Sequence, residues 1–149
     1  LSLVGFDPLD VMFMYAATQI YGLFIHTKTV GKLGFLEWFL STQSHTRVHH
    51  ASNVKYLDKN MGMVFIIWDR LFGTFQKEEE AVVYGLTTNI GTYNPFTMVF
   101  HEWKAILKDL GTSPSFKNKF MYIFGPPGWS HDGSRKTSNQ LRKELNKTN

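Results

Sequence analysis

Cysteine is absent from this chain of 149 residues, which excludes disulfides, thiolate metal sites and cysteine nucleophiles. Any metal must be held by histidine nitrogen or carboxylate oxygen, a donor set suited to zinc, iron or copper. Basic charge is missing from the N-terminal end. All sixteen Lys and Arg residues lie at Lys28 or later, and Val11 to Ile25 carries no formal charge. Those fifteen residues fall short of the ~20 that span a bilayer, yet they are too apolar for a comfortable surface helix. Lys28 and Lys32 follow at once, as expected where a helix emerges on the cytoplasmic side of a membrane. A buried helix of a soluble protein is the alternative. The run does not read as a secretory signal, because it lacks a basic leader and a small-residue cleavage site. Internal repeats and low-complexity tracts are also missing.

What is present argues for a folded helical chain. An aromatic content of 15% excludes a disordered one. Asp7-Pro8 predicts a helix from Pro8 to about Thr27, since Asp caps and Pro suits the first turn. Gly31 and Gly34 interrupt, and Phe35 to Leu40 reads as a short helix. Ser44 is the expected cap of a helix carrying HTRVHHASN. Asn53 to Asn60 is turn-rich. Met61 to Phe72 is apolar apart from Asp69 and Arg70, with Gly73 as a stop; its periodicity leaves helix and buried strand open. Lys77 to Glu80 reads as a solvated break. Asn94-Pro95 opens a helix whose apolar positions (Phe96, Val99, Phe100, Trp103, Ile106, Leu107, Leu110) recur every three or four residues, with Gly111 as its end. Phe116 to Phe124 and Ser138 to Leu145 predict two more helices.

The histidines are unevenly placed. Three fall within six residues, at His45, His49 and His50. On a helix His45 and His49 share a face, while His50 is turned by about 100° from His49. One pair could hold a metal while the neighbouring ring reaches a second metal. Imidazole is a common ligand whose other nitrogen needs an orienting acceptor. His26 stands where the uncharged run ends, and an ionisable group at a membrane boundary is usually kept for a function. The competing readings are a surface histidine cluster, a phosphate contact through His and Arg47, and a zinc hydrolase. The helical metalloprotease motif needs a glutamate between histidines four apart; Thr46, Arg47 and Val48 stand there instead.

Four further residues are candidates to support such ligands. Asp69 is a carboxylate among apolar neighbours, and a buried charge needs a partner: a ligand histidine, or a salt bridge with Arg70 or Arg47. Asp58 and Asn60 follow the histidines closely enough to accept a ring N–H. His101, next to Glu102, lies beside the apolar stripe of its helix, where a structural role competes. His131 reads as an exposed or capping residue, and Trp68, Phe72 and Phe75 as packing. The lysines and arginines of the second half accompany no nucleic-acid motif, so no nucleic-acid partner is expected and anionic lipid headgroups suit them better.

The pieces FIHTKTVGKLGFLEWFLSTQSHTRVHHASN, YLDKNMGMVFIIWDRLFGTFQ, YGLT and GPPGWSHDGSRKT together resemble the fatty acid hydroxylase and sterol desaturase superfamily, in particular its alkylglycerol monooxygenase-like branch and bacterial sterol desaturase relatives. The resemblance implies an all-α integral membrane enzyme whose active site faces the cytoplasm. It implies a di-iron centre held by histidines in several boxes. The chemistry implied is dioxygen-dependent oxidation of a lipid substrate: hydroxylation, desaturation or ether cleavage. Reducing equivalents would come from a pterin or an electron-transfer redox partner. The last histidine box matches His45, His49 and His50, and the isolated upstream histidine matches His26. The first two boxes have no counterpart before His26, so the chain is expected to be a C-terminal part, inactive alone. In that scheme residues 1–27 form a membrane-embedded helix. Residues 28–128 form the C-terminal part of the hydroxylase domain, and residues 129–149 a polar basic tail. A non-catalytic membrane-surface module and a histidine-ligated zinc hydrolase are the alternatives.

Overall fold

Asp7 accepts the backbone N–H of Leu9, and Pro8 occupies the first turn, so α1 runs Pro8–Ile25. The computed structural model describes residues 1–148. Its other helices are α2 (Gln43–His49), α3 (Ile67–Phe72), α4 (Pro95–Thr112), α5 (Phe116–Phe124) and α6 (Ser138–Thr148). Short 3₁₀ turns lie at Ser2–Val4, Gly34–Trp38 and Val54–Tyr56. Among the described residues there is no strand. VFII, left open between helix and strand, splits: Phe65 makes an isolated bridge with Leu40, and α3 begins two residues later. The fold is all-α, as expected.

The described chain forms two units, divided between Gly85 and Leu86. In the first, few apolar side chains are buried: Ile25, Val48, Ala51, Tyr56 and Ile66. Hydrogen-bonded polar groups supply the rest of the interior, including Thr42, His45, Thr46, Asn60 and Asp69. Such groups are tolerated inside only when paired. Tyr56 is the pivot. Its hydroxyl accepts the N–H groups of Glu79 and Glu80 at 2.8 and 2.7 Å, drawing the strap of residues 76–84 across α2.

Lys77 to Glu80 is the irregular, solvent-exposed break expected at Lys77, Glu79 and Glu80, whereas Glu78 is half-buried and the carboxylates are partnered. Glu79 pairs with Lys55, and Glu80 accepts from Asn53. Glu78 takes a two-pronged contact from Arg47, Nε to Oε1 at 2.8 Å and Nη2 to Oε2 at 2.6 Å. Both side chains are less than one-fifth exposed. A charge run in sequence cannot reveal partners 24 to 31 residues away.

The Arg47 guanidinium, by hydrogen bond and charge, holds the Glu78 carboxyl below its ordinary range against the opposing effect of burial. A depressed folded value means that the pair contributes stability above the ordinary glutamate range. That contribution is lost as pH falls through the folded value. Glu78→Gln should therefore cost about 2 kcal/mol near neutral pH and much less near pH ~3. Urea unfolding at the two pH values checks this; an equal gap at both would rule the pair out as a source of acid sensitivity.

α1 docks only by its C-terminal end. Tyr21 Oη donates to Ser41 O at 2.5 Å, and Gln43 Nε2 donates to Phe24 O at 3.2 Å. Gly22 lets Met63 approach, since a Cβ there would stand 3.0 Å from Met63 Cε. The rest of α1 is uncovered: Leu9, Met12, Phe13, Ile20, Leu23 and Phe24 are each at least 60% exposed. Among the described residues no helix is long and apolar enough to cross a membrane. α1 stops at Ile25 rather than Thr27, because His26 leaves helical geometry as the C-cap.

In the second unit Asn94 caps α4 by accepting from Phe96 N and Thr97 N, and Ser115 caps α5 by accepting from Asn118 N. Gly111 does not end α4, which runs one residue further to Thr112. α4 and α5 pack on each other, while Arg135 pairs with Asp109.

Candidate metal centre

Three of the four candidate histidines lie where the end of α1 meets the end of α2. His26 is the C-cap of α1, and His49 and His50 are the last residue and the C-cap of α2. His26 Nε2 and His50 Nε2 face each other at 2.9 Å. The ring of His50 stands 4.9 Å from that of His26 and 5.1 Å from that of His49. These rings line a recess of about 270 Å³ with Ile25, Ser41, Thr46, Asn60, Met61, Gly62 and Met63.

The tautomers follow from the acceptors. His26 Nδ1 lies 2.5 Å from Gly22 O, and a carbonyl only accepts, so Nδ1 carries the proton and Nε2 presents a lone pair to the recess. His49 Nδ1 lies 3.3 Å from Lys59 O, which leaves its Nε2 free in the same way. Each has an oriented ring, the condition under which imidazole binds a metal. Burial, with the neighbouring His49 and His26 rings, lowers the pKa of His50 and favours its neutral form.

His50 Nε2 therefore donates to the unprotonated His26 Nε2, and loss of that proton would present both nitrogens as lone pairs to a metal. Two nitrogens at right angles on one metal, each about 2.1 Å from it, stand about 3 Å apart. The His26–His50 separation is of that size. Among the described residues, however, no three His, Asp or Glu side chains converge as a complete ligand group. What is assembled is a facing pair with a third ring beside it.

His45 is not brought to this recess. It is 2% exposed, and it takes the glutamate's place in a capping box: Thr42 N donates to His45 Nδ1 at 3.3 Å. Thr42, not Ser44, is accordingly the cap of α2. The ring packs edge-on against Phe75 and lines a separate hollow of about 290 Å³ with Glu37, Trp38 and Arg70. Burial lowers its pKa, with Glu37 opposing and Arg70 assisting. Coordination through Nε2 would require the proton to move to Nδ1 and the Thr42 cap to open.

A model of the fatty acid hydroxylase family matches residues 1–74. Alkylglycerol monooxygenase of Homo sapiens is 48% identical over 110 residues, which is 74% of this chain and 25% of that protein. The Xenopus tropicalis protein of the same name is 46% identical over 110 residues, with the same shares. The Caenorhabditis elegans one is 39% identical over 123 residues, 75% of this chain and 24% of the relative. The chain belongs to the fatty acid hydroxylase superfamily. Within that superfamily it is alkylglycerol monooxygenase-like, and it spans about a quarter of the length of the curated relatives it matches. No solved structure matches it.

In this fatty acid hydroxylase segment the supporting residues act mainly on backbone. Asp69 is 2% exposed and makes neither an ion pair nor a histidine contact among the described residues; both earlier expectations for it are corrected. Its carboxylate instead accepts Met61 N at 2.8 Å, Gly62 N at 2.7 Å and Thr74 Oγ1 at 2.5 Å. Arg70, its sequence neighbour, stacks over Phe75 and Trp38 and donates to Glu37 O. Asp69 thus pins the loop that forms one wall of the recess. Gly62 is needed in that wall, because a Cβ there would lie 2.5 Å from Phe65 O and 2.8 Å from Asp69 Oδ2.

Asn60 holds the histidine helix by its backbone. Its Nδ2 donates to His45 O at 3.3 Å and Gln76 O at 2.8 Å, and its Oδ1 accepts Gln76 N. Asp58 and Asn60 both adopt positive φ, 54° and 53°, a turn that presents the intervening Lys59 carbonyl to His49. Neither candidate side chain supplies the acceptor for that ring; the backbone between them does. No side-chain pattern marks a carbonyl, so sequence reasoning missed it. Gly22 O was missed likewise, although the i to i−4 spacing of a helix end would have indicated it.

His101 belongs to the second unit. Its Nδ1 meets Met98 O at 2.9 Å and its Nε2 meets Glu102. His131, expected to be exposed, is so, and its Nδ1 lies 2.6 Å from the Tyr122 hydroxyl.

Proposed function

We propose that this chain carries the last histidine box of a membrane-bound lipid monooxygenase with a di-iron centre, in which His26, His49 and His50 are iron ligands. The facing Nε2 atoms of His26 and His50, one with its far nitrogen tied to Gly22 O, carry the reading. His45 is assigned to the same centre by its place in the box. Ligands for the remainder of the centre would come from residues outside positions 1–149. Bound iron would supply the activation of dioxygen needed to oxidise a lipid C–H bond, with electrons from a pterin or a redox protein.

The residues present do the positioning. The Gly22 and Lys59 carbonyls fix the orientation of two rings, and the Asp69-anchored loop brings Met61 and Met63 over them as an apolar wall. Such an apolar lining suits an alkyl chain. The uncovered apolar surface of α1 supports placing residues 1–27 in lipid, with the histidine end and Lys28 on the cytoplasmic side. Asp58, Asn60 and Asp69 remain proposed as supports rather than ligands, acting on the loops that frame the recess.

Iron analysis and oxygen uptake on the complete enzyme in detergent test the proposal. About two irons per chain and oxygen-dependent oxidation of an alkylglycerol ether, a fatty acyl chain or a sterol are expected. Stoichiometric zinc with no oxygen uptake on any of these lipids would overturn it.

A further inference from the structure

The amphipathic pattern of α4 predicts that its apolar stripe faces a protein interior. The structure places that stripe outward. Phe96, Val99, Phe100, Trp103 and Leu107 are each more than half exposed, and no residue of α4 or α5 is buried. α5 repeats the arrangement with Phe116, Phe120, Ile123 and Phe124, all more than half exposed. Nine large apolar side chains on one packed helix pair far exceed the scattered apolar exposure normal for a soluble surface.

The charge around them identifies what covers them. From Leu86 onward the chain has nine Lys and Arg against four Asp and Glu, whereas residues 1–85 have seven against eight. The excess positive charge of the molecule is therefore confined to the unit with the exposed stripes. On α4, Lys104 and Lys108 lie about 80° and 120° around the axis from Phe96, at the flank of the stripe. On α5, Lys117 and Lys119 stand beside Phe116 and Phe120. All four lysines are exposed, and none joins an ion pair among the described residues. A protein partner's core would have to desolvate this rim. A bilayer would not, because lysine stems lie along its apolar boundary while the ammonium groups reach phosphate. Trp103, in the middle of the α4 stripe, is a residue type favoured at that depth.

We propose that the α4–α5 hairpin is a monotopic docking surface for an anionic lipid leaflet, with its aromatic stripes in the headgroup–acyl boundary and Lys104, Lys108, Lys117 and Lys119 on lipid phosphates. It lies beyond residue 74, where the match to the hydroxylase family model ends, and it uses none of the histidine-site residues. It stands or falls independently of the iron reading.

Residues 1–149 contain no cysteine, so a single thiol introduced into this chain is unique within it. Leu107→Cys and Glu102→Cys in the full chain place an environment-sensitive fluorophore on the apolar and polar faces of α4. With vesicles of phosphatidylcholine plus phosphatidylserine, a blue shift is expected for the Leu107→Cys label and not for the Glu102→Cys label. Replacing the four lysines by Gln should raise the anionic lipid needed for half the shift by roughly 600-fold, at about fivefold per lysine. Circular dichroism of each variant controls for folding. A Leu107→Cys label that stays water-exposed on vesicle-bound protein would overturn the proposal. So would an equal shift on pure phosphatidylcholine that ignores the lysine replacements. A shift without lipid that grows with protein concentration would assign the surface to a second copy instead.

Discussion

Replacing His50 by alanine in the complete enzyme is expected to abolish iron binding at its half of the centre and to lower activity by more than about 100-fold, while leaving the fold intact. The two halves of that expectation have different origins. His50 is exposed, so losing its ring removes little packing, and surface substitutions of this kind usually stay within about 0.5 kcal/mol. Its Nε2 faces the lone pair of His26 at 2.9 Å, so the same substitution deletes one of two facing donors. Loss of a group that merely orients a ligand already costs about 10- to 100-fold, and loss of a donor should cost more. His45→Ala is the informative contrast. That ring is buried, caps α2 and packs on Phe75, so its loss should cost about 2–4 kcal/mol of stability whatever happens to the metal. Iron content and urea midpoint measured together separate the two. A His50→Ala protein with wild-type iron would remove the residue from the centre.

Asp69→Ala should destabilise the fold by about 3–5 kcal/mol, at about 1–3 kcal/mol for each orphaned amide. One nearly inaccessible carboxylate ties three donors, two of them backbone amides at Met61 and Gly62. Removing it leaves those amides unpaired, and a bond to an ionised acceptor is worth about 1.5–3 kcal/mol. Asp69→Asn keeps the shape but presents a donor face toward N–H groups, so it should rescue only part of the loss. Because Met61, Gly62 and Met63 form one wall of the histidine recess, the damage should extend to metal affinity. Amide hydrogen exchange at Met61 and Gly62 reads the effect directly. Unchanged protection there in Asp69→Ala would contradict this account of the loop.

Much of the helical framework was legible in the chain because it rests on local chemistry. Asp7-Pro8, Asn94-Pro95 and Ser115 each cap a helix with their own side chains, and the apolar spacing of three and four in α4 is helical in any surroundings. The cap of α2 lies at Thr42, two residues before the expected Ser44, because histidine in the glutamate position of a capping box is not a pattern the sequence advertises. The same residue explains why His45 was grouped with His49. Shared helical spacing put both on one face, but the Thr42 cap holds the His45 ring in a different hollow.

The residue types at the centre were fixed by composition. Without cysteine, only imidazole and carboxylate could serve, and the crowding of His45, His49 and His50 marked the place. Tertiary structure decided which rings meet and what orients them. His26 reaches His50 across 24 positions because α1 docks by its last turn, and the orienting acceptors are the Gly22 and Lys59 carbonyls rather than any candidate side chain. Asp69 likewise serves amides rather than a histidine or an arginine. A sequence records which side chains are available. Backbone carbonyls and amides are identical at every position, so only the folded chain, by bringing particular ones within hydrogen-bond reach, could select them.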